Sequence, residues 1–450
     1  MALKTFDLTR EMLDHAFPDV VAPDKERLLT CIQCGTCTAS CPTAYAMDYT
    51  PRQLWRLIQV GLREEVLLSN SFWLCAACYA CNTRCPRGIP TMETMLELKV
   101  LASRERGVMP LPLRERCQLV AGTHNVAGED NALRLSWALN LPGGSGRYTG
   151  PRRAELAYFV GCYAAFFPLA FGVPQAMVHL LEHLGLSFTT LGTEEWCCGY
   201  PLLVAGRREE AAALARHNLE VVEQTGASRL VTACAHCYRV WREIYPQLLP
   251  GRSIPPVEHS STLLLEEFTR QGIAPFPVEA VVTFHDPCDL GRQAGLYEPP
   301  RRLLEMIPDL KRIEMANSGE GAICCGGGGN LPWLRDDVVM ELGRRRLGQA
   351  LDVRVSALIT ACQLCRHTLS RTAYRWGARL RVYDLVELVW SALSAQPLDI
   401  PGARWPTVRH PGASSLGACS EPPSGFTGGP RPPEGGEQTA QAGDDRGPAI

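Results

Sequence analysis

No charge of one sign dominates the 450 residues: 45 Lys and Arg stand against 47 Asp and Glu, a formal net charge of −2. Nucleic acids and anionic membrane surfaces are bound through an excess of cations, so this balance gives no electrostatic case for either. Long apolar runs are also missing. The most apolar stretch, "LAYFVGCYAAFFPLAFGV" at 156–173, contains Pro168 and two glycines and is short for a bilayer span. It reads as a buried strand and helix. "MALKTFDLTREMLDHAF" at the N-terminus has amphipathic helical spacing, not the basic-then-apolar order of an export signal. The expectation is a soluble, cytoplasmic chain with no transmembrane segment of its own, peripheral to a membrane only through a partner.

Cysteine is what the chain has in quantity, twenty in all. Disulfide scaffolds are short and secreted, so in a chain of this length repeated C-x-x-C points to metal or redox chemistry. Eighteen cysteines fall into four clusters; Cys117 and Cys419 stand alone and are expected to be structural or incidental. "CIQCGTCTASCP" places Cys31, Cys34, Cys37 and Cys41 before Pro42, and "CAACYACNTRCP" repeats the spacing at Cys75, Cys78, Cys81 and Cys85 before Pro86. Three thiolates two residues apart wrap a short loop around one face of a cube, and the fourth, after a wider gap, reaches the other cube; this is two-cluster bacterial ferredoxin spacing. Cys31, Cys34, Cys37 and Cys85 would hold one cubane [4Fe–4S] cluster, and Cys41, Cys75, Cys78 and Cys81 the other. Zinc also takes four cysteines, but a zinc ribbon uses two C-x-x-C pairs and would leave the rest surplus.

Between the runs, "YTPRQLWRLIQVGLREEVL" reads as a helix capped by Thr50 with Pro51 in its first turn and Leu54, Ile58 and Leu62 as an apolar stripe. "PTMETMLELKVLASRERG" reads as a second helix. Further on lies a duplication. Cys162, Cys197-Cys198-Gly199, Cys234 and Cys237 recur as Cys288, Cys324-Cys325-Gly326, Cys362 and Cys365, at offsets of 126 to 128. "SRLVTACAHC" pairs with "SALITACQLC", each a β-branched run preceded by a helical stretch. The fold class expected is α/β: a mainly helical N-terminal two-cluster ferredoxin-like domain at 1–110, a linker at 111–154 with one short helix, duplicated α/β domains at 155–275 and 276–400, and a disordered Pro/Gly-rich tail at 401–450.

The doubled C…CCG…CxxC motif resembles the catalytic subunit of heterodisulfide reductase, and "CIQCGTCTASCP…YTPRQLWRLIQVG…FWLCAACYACNTRCPRG" resembles that enzyme's small ferredoxin-like subunit. Over residues 25–390 the chain looks like a fusion of the two, similar to the D-type subunit and to the related subunit of sulfite-reducing membrane complexes. The resemblance implies tandem CCG domains, each holding a non-cubane [4Fe–4S] cluster on its five cysteines: Cys162, Cys197, Cys198, Cys234 and Cys237 in one, Cys288, Cys324, Cys325, Cys362 and Cys365 in the other. It implies an anaerobic oxidoreductase subunit that reduces or forms a disulfide, on a small molecule or a carrier protein. Two clusters facing each other could each take one sulfur, so that the bond breaks without a free thiyl radical. With no flavin or NAD fingerprint on the chain, electrons would come from a flavoprotein or a membrane b-type cytochrome. The wider family also holds electron-transfer subunits of glycolate, lactate and glycerol-3-phosphate dehydrogenases, which is the alternative reading.

Lesser candidates surround these cysteines. His285, in "FHDPCDLGR", could give a proton to a departing thiolate, or simply bond backbone at a strand end. His236 and His367 could orient the cysteine loops. Tyr200 and Tyr238 could wall a cavity, and Arg239 and Arg366 could meet an acidic substrate or stay solvated. "CCGGGGN" lacks the strand-and-helix context of a nucleotide loop, so its glycines are expected to bring backbone N–H groups to sulfur or leave room for substrate.

Overall fold

The computed structural model describes residues 6–8, 12–107 and 109–406. Two four-stranded parallel sheets form its centre, with orders β2-β1-β3-β4 and β6-β5-β7-β8. The strands are β1 (Leu156–Tyr158), β2 (Phe188–Thr190), β3 (Arg229–Thr232), β4 (Val257–His259), β5 (Ala280–His285), β6 (Leu310–Arg312), β7 (Ala357–Thr360) and β8 (Arg381–Asp384). Helices such as Arg208–Thr225 and Asp336–Asp352 separate successive strands, which is the requirement for parallel pairing. Helices cover both faces of the central strands, so β1 and β7 are buried along their whole length. Helix Gly172–His183 of the first repeat packs on helix Leu385–Ser394 of the second, with His179 stacked 4.9 Å from Trp390.

In each sheet the first strand has the second on one side and the third on the other, so connections leave its carboxyl end in both directions. The crevice at such a switch point is where parallel sheets place their ligands. Cys162 and Cys288 follow β1 and β5, and the C-x-x-C pairs follow β3 and β7. Topology alone therefore carries both cysteine sets to the carboxyl edges.

The N-terminal region is helical, as expected. Helix Pro51–Gln59 opens with a capping box between Thr50 and Gln53 and buries Leu54, Trp55, Leu57 and Ile58. It does not run on through 68. Gly61 has φ +80°, and a Cβ there would lie 2.5 Å from the Asp14 carbonyl oxygen, so the chain turns and restarts at helix Arg63–Leu68. Leu62, at the break, is still buried. The amphipathic helix expected over 1–17 is not formed at residues 6–8 or 12–15; helix begins at Phe17, and residues 1–5 and 9–11 lie outside the described residues. Helix Thr91–Leu101 agrees with its expected position.

Residues 111–154 are more than a linker. They form helix Leu111–Thr123 and 3₁₀ turns at Asn131–Ala138 and Ser145–Tyr148, and they bury Leu113, Cys117, Asn125, Arg134 and Trp137. The Asn125 side-chain amide holds the turn, accepting from the Gly128 N–H and donating to the Glu129 carbonyl. Pro and Gly here mark turns of a packed segment. At the other end, residues 401–406 are ordered against the second sheet through the Glu279–Arg404 bridge. The tail expected at 401–450, with Cys419, lies from 407 on outside the described residues.

Candidate iron–sulfur sites

Cys31, Cys34, Cys37 and Cys85 line one cavity together with Gly35, Arg52, Trp55 and Arg87. The loop wraps because Gln33 and Gly35 take positive φ, and Ala77 and Tyr79 do the same forty-four positions on. Left-handed backbone at Gln33, Ala77 and Tyr79 costs on the order of 1–3 kcal/mol each and persists where a site demands the geometry. In the second set burial raises the Cys41 thiol to about 12, and Cys78 and Cys75 add to the effect. Burial also raises Cys81, with Cys75, Cys78 and Cys41 as contributing neighbours. The four thiols are thus gathered, Cys78 buried and Cys41, Cys75 and Cys81 half-buried.

The first five-cysteine set, Cys162, Cys197, Cys198, Cys234 and Cys237, lines a single cavity with Tyr163, Tyr200 and His236. Gln363 and Leu364 of the second repeat complete its wall. Cys162 lies within hydrogen-bonding reach of Cys197, and Cys237 of both Cys198 and Cys234. Arg134 Nη2 donates to Cys162 Sγ at 3.6 Å while Nη1 pairs with Glu195 at 2.8 Å. Glu195 also accepts from the N–H groups of Val160 and Gly161, fixing the loop ahead of Cys162. The Cys197 N–H donates to the His124 carbonyl at 2.7 Å.

In the second set Cys325 and Cys365 sulfurs are 3.3 Å apart, and Cys362 is within reach of Cys365. Cys288 senses the charge of Cys324 and Cys325. The glycines act as expected: Gly326 N–H donates to Cys324 Sγ at 3.3 Å and Gly327 N–H to Cys325 Sγ at 3.4 Å. Gly329 serves a different purpose, since a Cβ there would lie 2.0 Å from the Cys75 carbonyl oxygen. The CCGGGGN loop is pressed on the backbone of the second four-cysteine run.

The sets adjoin one another. Cys78 is within hydrogen-bonding reach of Cys324, and Arg292 bridges the same seam by donating to the Cys78 and Ala322 carbonyls. Cys234 of the first repeat is within reach of Cys362 of the second. His236 sits at that junction, Nδ1 3.3 Å from Cys362 Sγ and Nε2 3.1 Å from Asp289 Oδ2.

His285 is buried at the end of β5. A ring nitrogen lies within 4.8 Å of the Cys325 and Cys365 sulfurs, and Nδ1 accepts from Arg346 Nε at 2.9 Å. Burial and the Arg346 guanidinium lower its proton affinity to about 3. The imidazole is therefore neutral at pH 7, with Nε2 carrying the hydrogen. His367 packs against Tyr163 and Phe167, lowered to about 4 by burial. The two arginines are neither solvated nor free for a substrate: Arg366 pairs with Glu387, and Arg239 with Asp289 and the Tyr79 hydroxyl. Tyr200 does wall the first cavity, edge-on to His236 at 4.2 Å, whereas Tyr238 lies edge-on to His259 and accepts from Arg242. Cys117 is buried apart from these sets. Arg134, Glu195, Asp289, Arg346 and Gln363 escape a reading of the sequence. Glu195, Asp289 and Gln363 at least sit within two residues of a cluster cysteine, whereas Arg134 and Arg346 have no positional signal.

Eighteen buried or gathered thiols suit iron–sulfur chemistry. Sulfurs this close cannot all ionise without a cation between them, and several receive N–H donors that a cluster thiolate requires. Residues 27–89 match the 4Fe-4S dicluster domain, and residues 156–241 and 282–370 match the Cysteine-rich domain, CCG. These matches define an iron–sulfur oxidoreductase with tandem CCG domains and a ferredoxin-like N-terminal region. The D subunit of dihydromethanophenazine:CoB–CoM heterodisulfide reductase from Methanosarcina barkeri is 31% identical over 81% of this chain and 93% of the relative. Its counterpart in Methanosarcina acetivorans is 30% identical over 81% and 93%. The chain belongs to this family of heterodisulfide reductase D subunits. The EtfAB:quinone oxidoreductase of Syntrophomonas wolfei is 27% identical over 75% of this chain and 48% of that protein. No helix among the described residues is long and apolar enough to cross a membrane.

Proposed function

We propose that the chain reduces a disulfide, or forms one in reverse, where its two five-cysteine sets meet. Two electrons and two protons convert R–S–S–R′ into two thiols. In this reading Cys31, Cys34, Cys37 and Cys85 hold one cubane cluster and Cys41, Cys75, Cys78 and Cys81 a second. Each five-cysteine set holds a non-cubane cluster. When bound, the clusters supply electrons singly and iron with affinity for sulfur.

The protein's own residues prepare the site. Arg134, Gly326 and Gly327 direct N–H groups at cysteine sulfur, which stabilises negative charge there. Tyr163, Tyr200 and Leu364 exclude water from the first cavity. His285 stands as a neutral imidazole beside Cys325 and Cys365 rather than as an imidazolium. His236, bracketed by Cys362 and Asp289, is the group whose proton affinity is raised, to about 8, and is the better proton source at the junction.

The observation that carries this reading is the junction itself: Cys234 within reach of Cys362, with His236 3.3 Å from the latter. The substrate class follows from the names of the Methanosarcina relatives. Partners would be an electron-supplying flavoprotein or membrane b-type cytochrome. The second reading, an electron-transfer subunit of a flavin-dependent dehydrogenase, draws on the EtfAB:quinone oxidoreductase relative. Anaerobically purified protein given reduced viologen and a panel of disulfides separates the two. Viologen oxidation dependent on a disulfide supports the first. Refusal of every disulfide, with electrons accepted from a flavoprotein, supports the second.

A further inference from the structure

Cys34 is the one exposed cysteine among the described residues. It lines the first four-cysteine cavity beside Ile32, 65% exposed; Leu29, 48% exposed, ends the helix Lys25–Leu29 just ahead of Cys31. Arginines surround this opening. Arg52 and Arg87 line the cavity, Arg56 follows one helical turn after Arg52, and Arg27 reaches the carbonyl of Gly88. Arg84, one residue before Cys85, donates to Ser40 and to the Gly321 carbonyl, at the edge of this region nearest the second repeat. Residues 25–59 and 84–90 together hold six cations and two carboxylates, in a chain whose net charge is −2. Lys25 and Arg27 pair with Asp19 and Asp24, but Arg52, Arg56, Arg84 and Arg87 have no carboxylate partner among the described residues.

We propose that this arginine-rimmed opening is the docking surface for an acidic electron-carrier protein, which brings its own redox centre against Cys34. The inference rests on the reading that Cys31, Cys34, Cys37 and Cys85 hold a cluster. The carrier is oxidised by one electron and that cluster reduced by one. An exposed apolar side chain, Ile32, at the opening and unpaired cations at the rim have the anatomy of a transient protein interface, and a carboxylate-bearing partner supplies the charge complement. A lipid surface is the poorer occupant. Ile32 lines a recess instead of forming part of a continuous apolar face, and a bilayer carries no electron to the sulfur beside it.

The test uses the full-length, cluster-loaded chain under anaerobic stopped flow, with a photoreduced acidic two-[4Fe–4S] ferredoxin as probe. Steered association loses rate with ionic strength, so the second-order constant is expected to fall at least about tenfold between roughly 0.02 and 0.5 M salt. Arg27→Glu/Arg56→Glu, at exposed rim positions outside the cavity lining, is expected to slow the ferredoxin reaction by at least about tenfold at low salt, and Arg27→Lys/Arg56→Lys to keep most of the rate. Cationic reduced viologen should still reduce the charge-reversed protein, whose visible absorbance reports that its clusters are in place. Equal ferredoxin rates in wild type and the reversed variant overturn the proposal, as does a salt-independent rate. Loss of binding to phosphatidylglycerol vesicles in the variant, with its ferredoxin rate unchanged, gives the patch to lipid and also overturns it. Viologen-driven disulfide consumption tests the reaction separately, so the two readings can fail independently.

Discussion

Glu195 shows how much one carboxylate can hold. Fully buried, it pairs with Arg134 and accepts from two backbone N–H groups of the loop leading to Cys162. Its replacement by alanine strands the Arg134 guanidinium, and the loss expected is about 3–5 kcal/mol, read by denaturant unfolding of the loaded protein. A separate expectation concerns the paired cysteines. Cys198→Ser or Cys325→Ser should abolish disulfide reduction and the signal of the affected five-cysteine set while leaving the two cubane spectra intact, as followed by electron paramagnetic resonance. Equal loss of every cluster would show that the sets do not load independently. The cysteines were legible because their spacing is the chemistry. Arg134 was not, since it lies 28 residues before Cys162 in a stretch whose Pro and Gly content suggests a loop, and only the folded turn brings its guanidinium to that sulfur.

Among the elements, helix Thr91–Leu101 has a role beyond packing. It carries Lys99, fully buried, whose Nζ donates to the Val204 carbonyl at 2.9 Å. No carboxylate pairs with it among the described residues; burial lowers it to about 8, and Cys75 is the first of the neighbouring thiols that favour its charge. Lys99→Met should therefore lower the reduction potential of the cluster at Cys41, Cys75, Cys78 and Cys81, in a redox titration followed by electron paramagnetic resonance. An unchanged potential would make the lysine purely structural. The helix Pro51–Gln59 offers a calibration: Thr50→Ala removes its cap and should cost about 1 kcal/mol in unfolding experiments. That cap could be read directly, because Thr-Pro followed by Gln at the third helical position is a local signal. The helix's end could not. Gly61 stops it through a close approach of Asp14, 47 residues away in sequence, and nothing local announces that contact.

At the scale of the whole molecule, the offset of 126 to 128 residues between cysteine sets was enough to anticipate two α/β units, and the sheets do share one strand order. The seam between them was less accessible. Which cysteine of one set meets which of the other depends on how the sheets face, and Gln363 crossing to the Val160 carbonyl has no sequence signature. Full loading implies about 16 iron atoms per chain, four for each of four clusters, a figure that metal analysis and acid-labile sulfide can check. A value near 8 would leave the CCG domains without iron. The 3.3 Å separation of Cys325 and Cys365 sulfurs has a consequence for handling. Thiols held that near each other are set to cross-link on contact with oxygen, so a chain purified in air should arrive already stapled shut at its second repeat, refusing iron until a reductant reopens it.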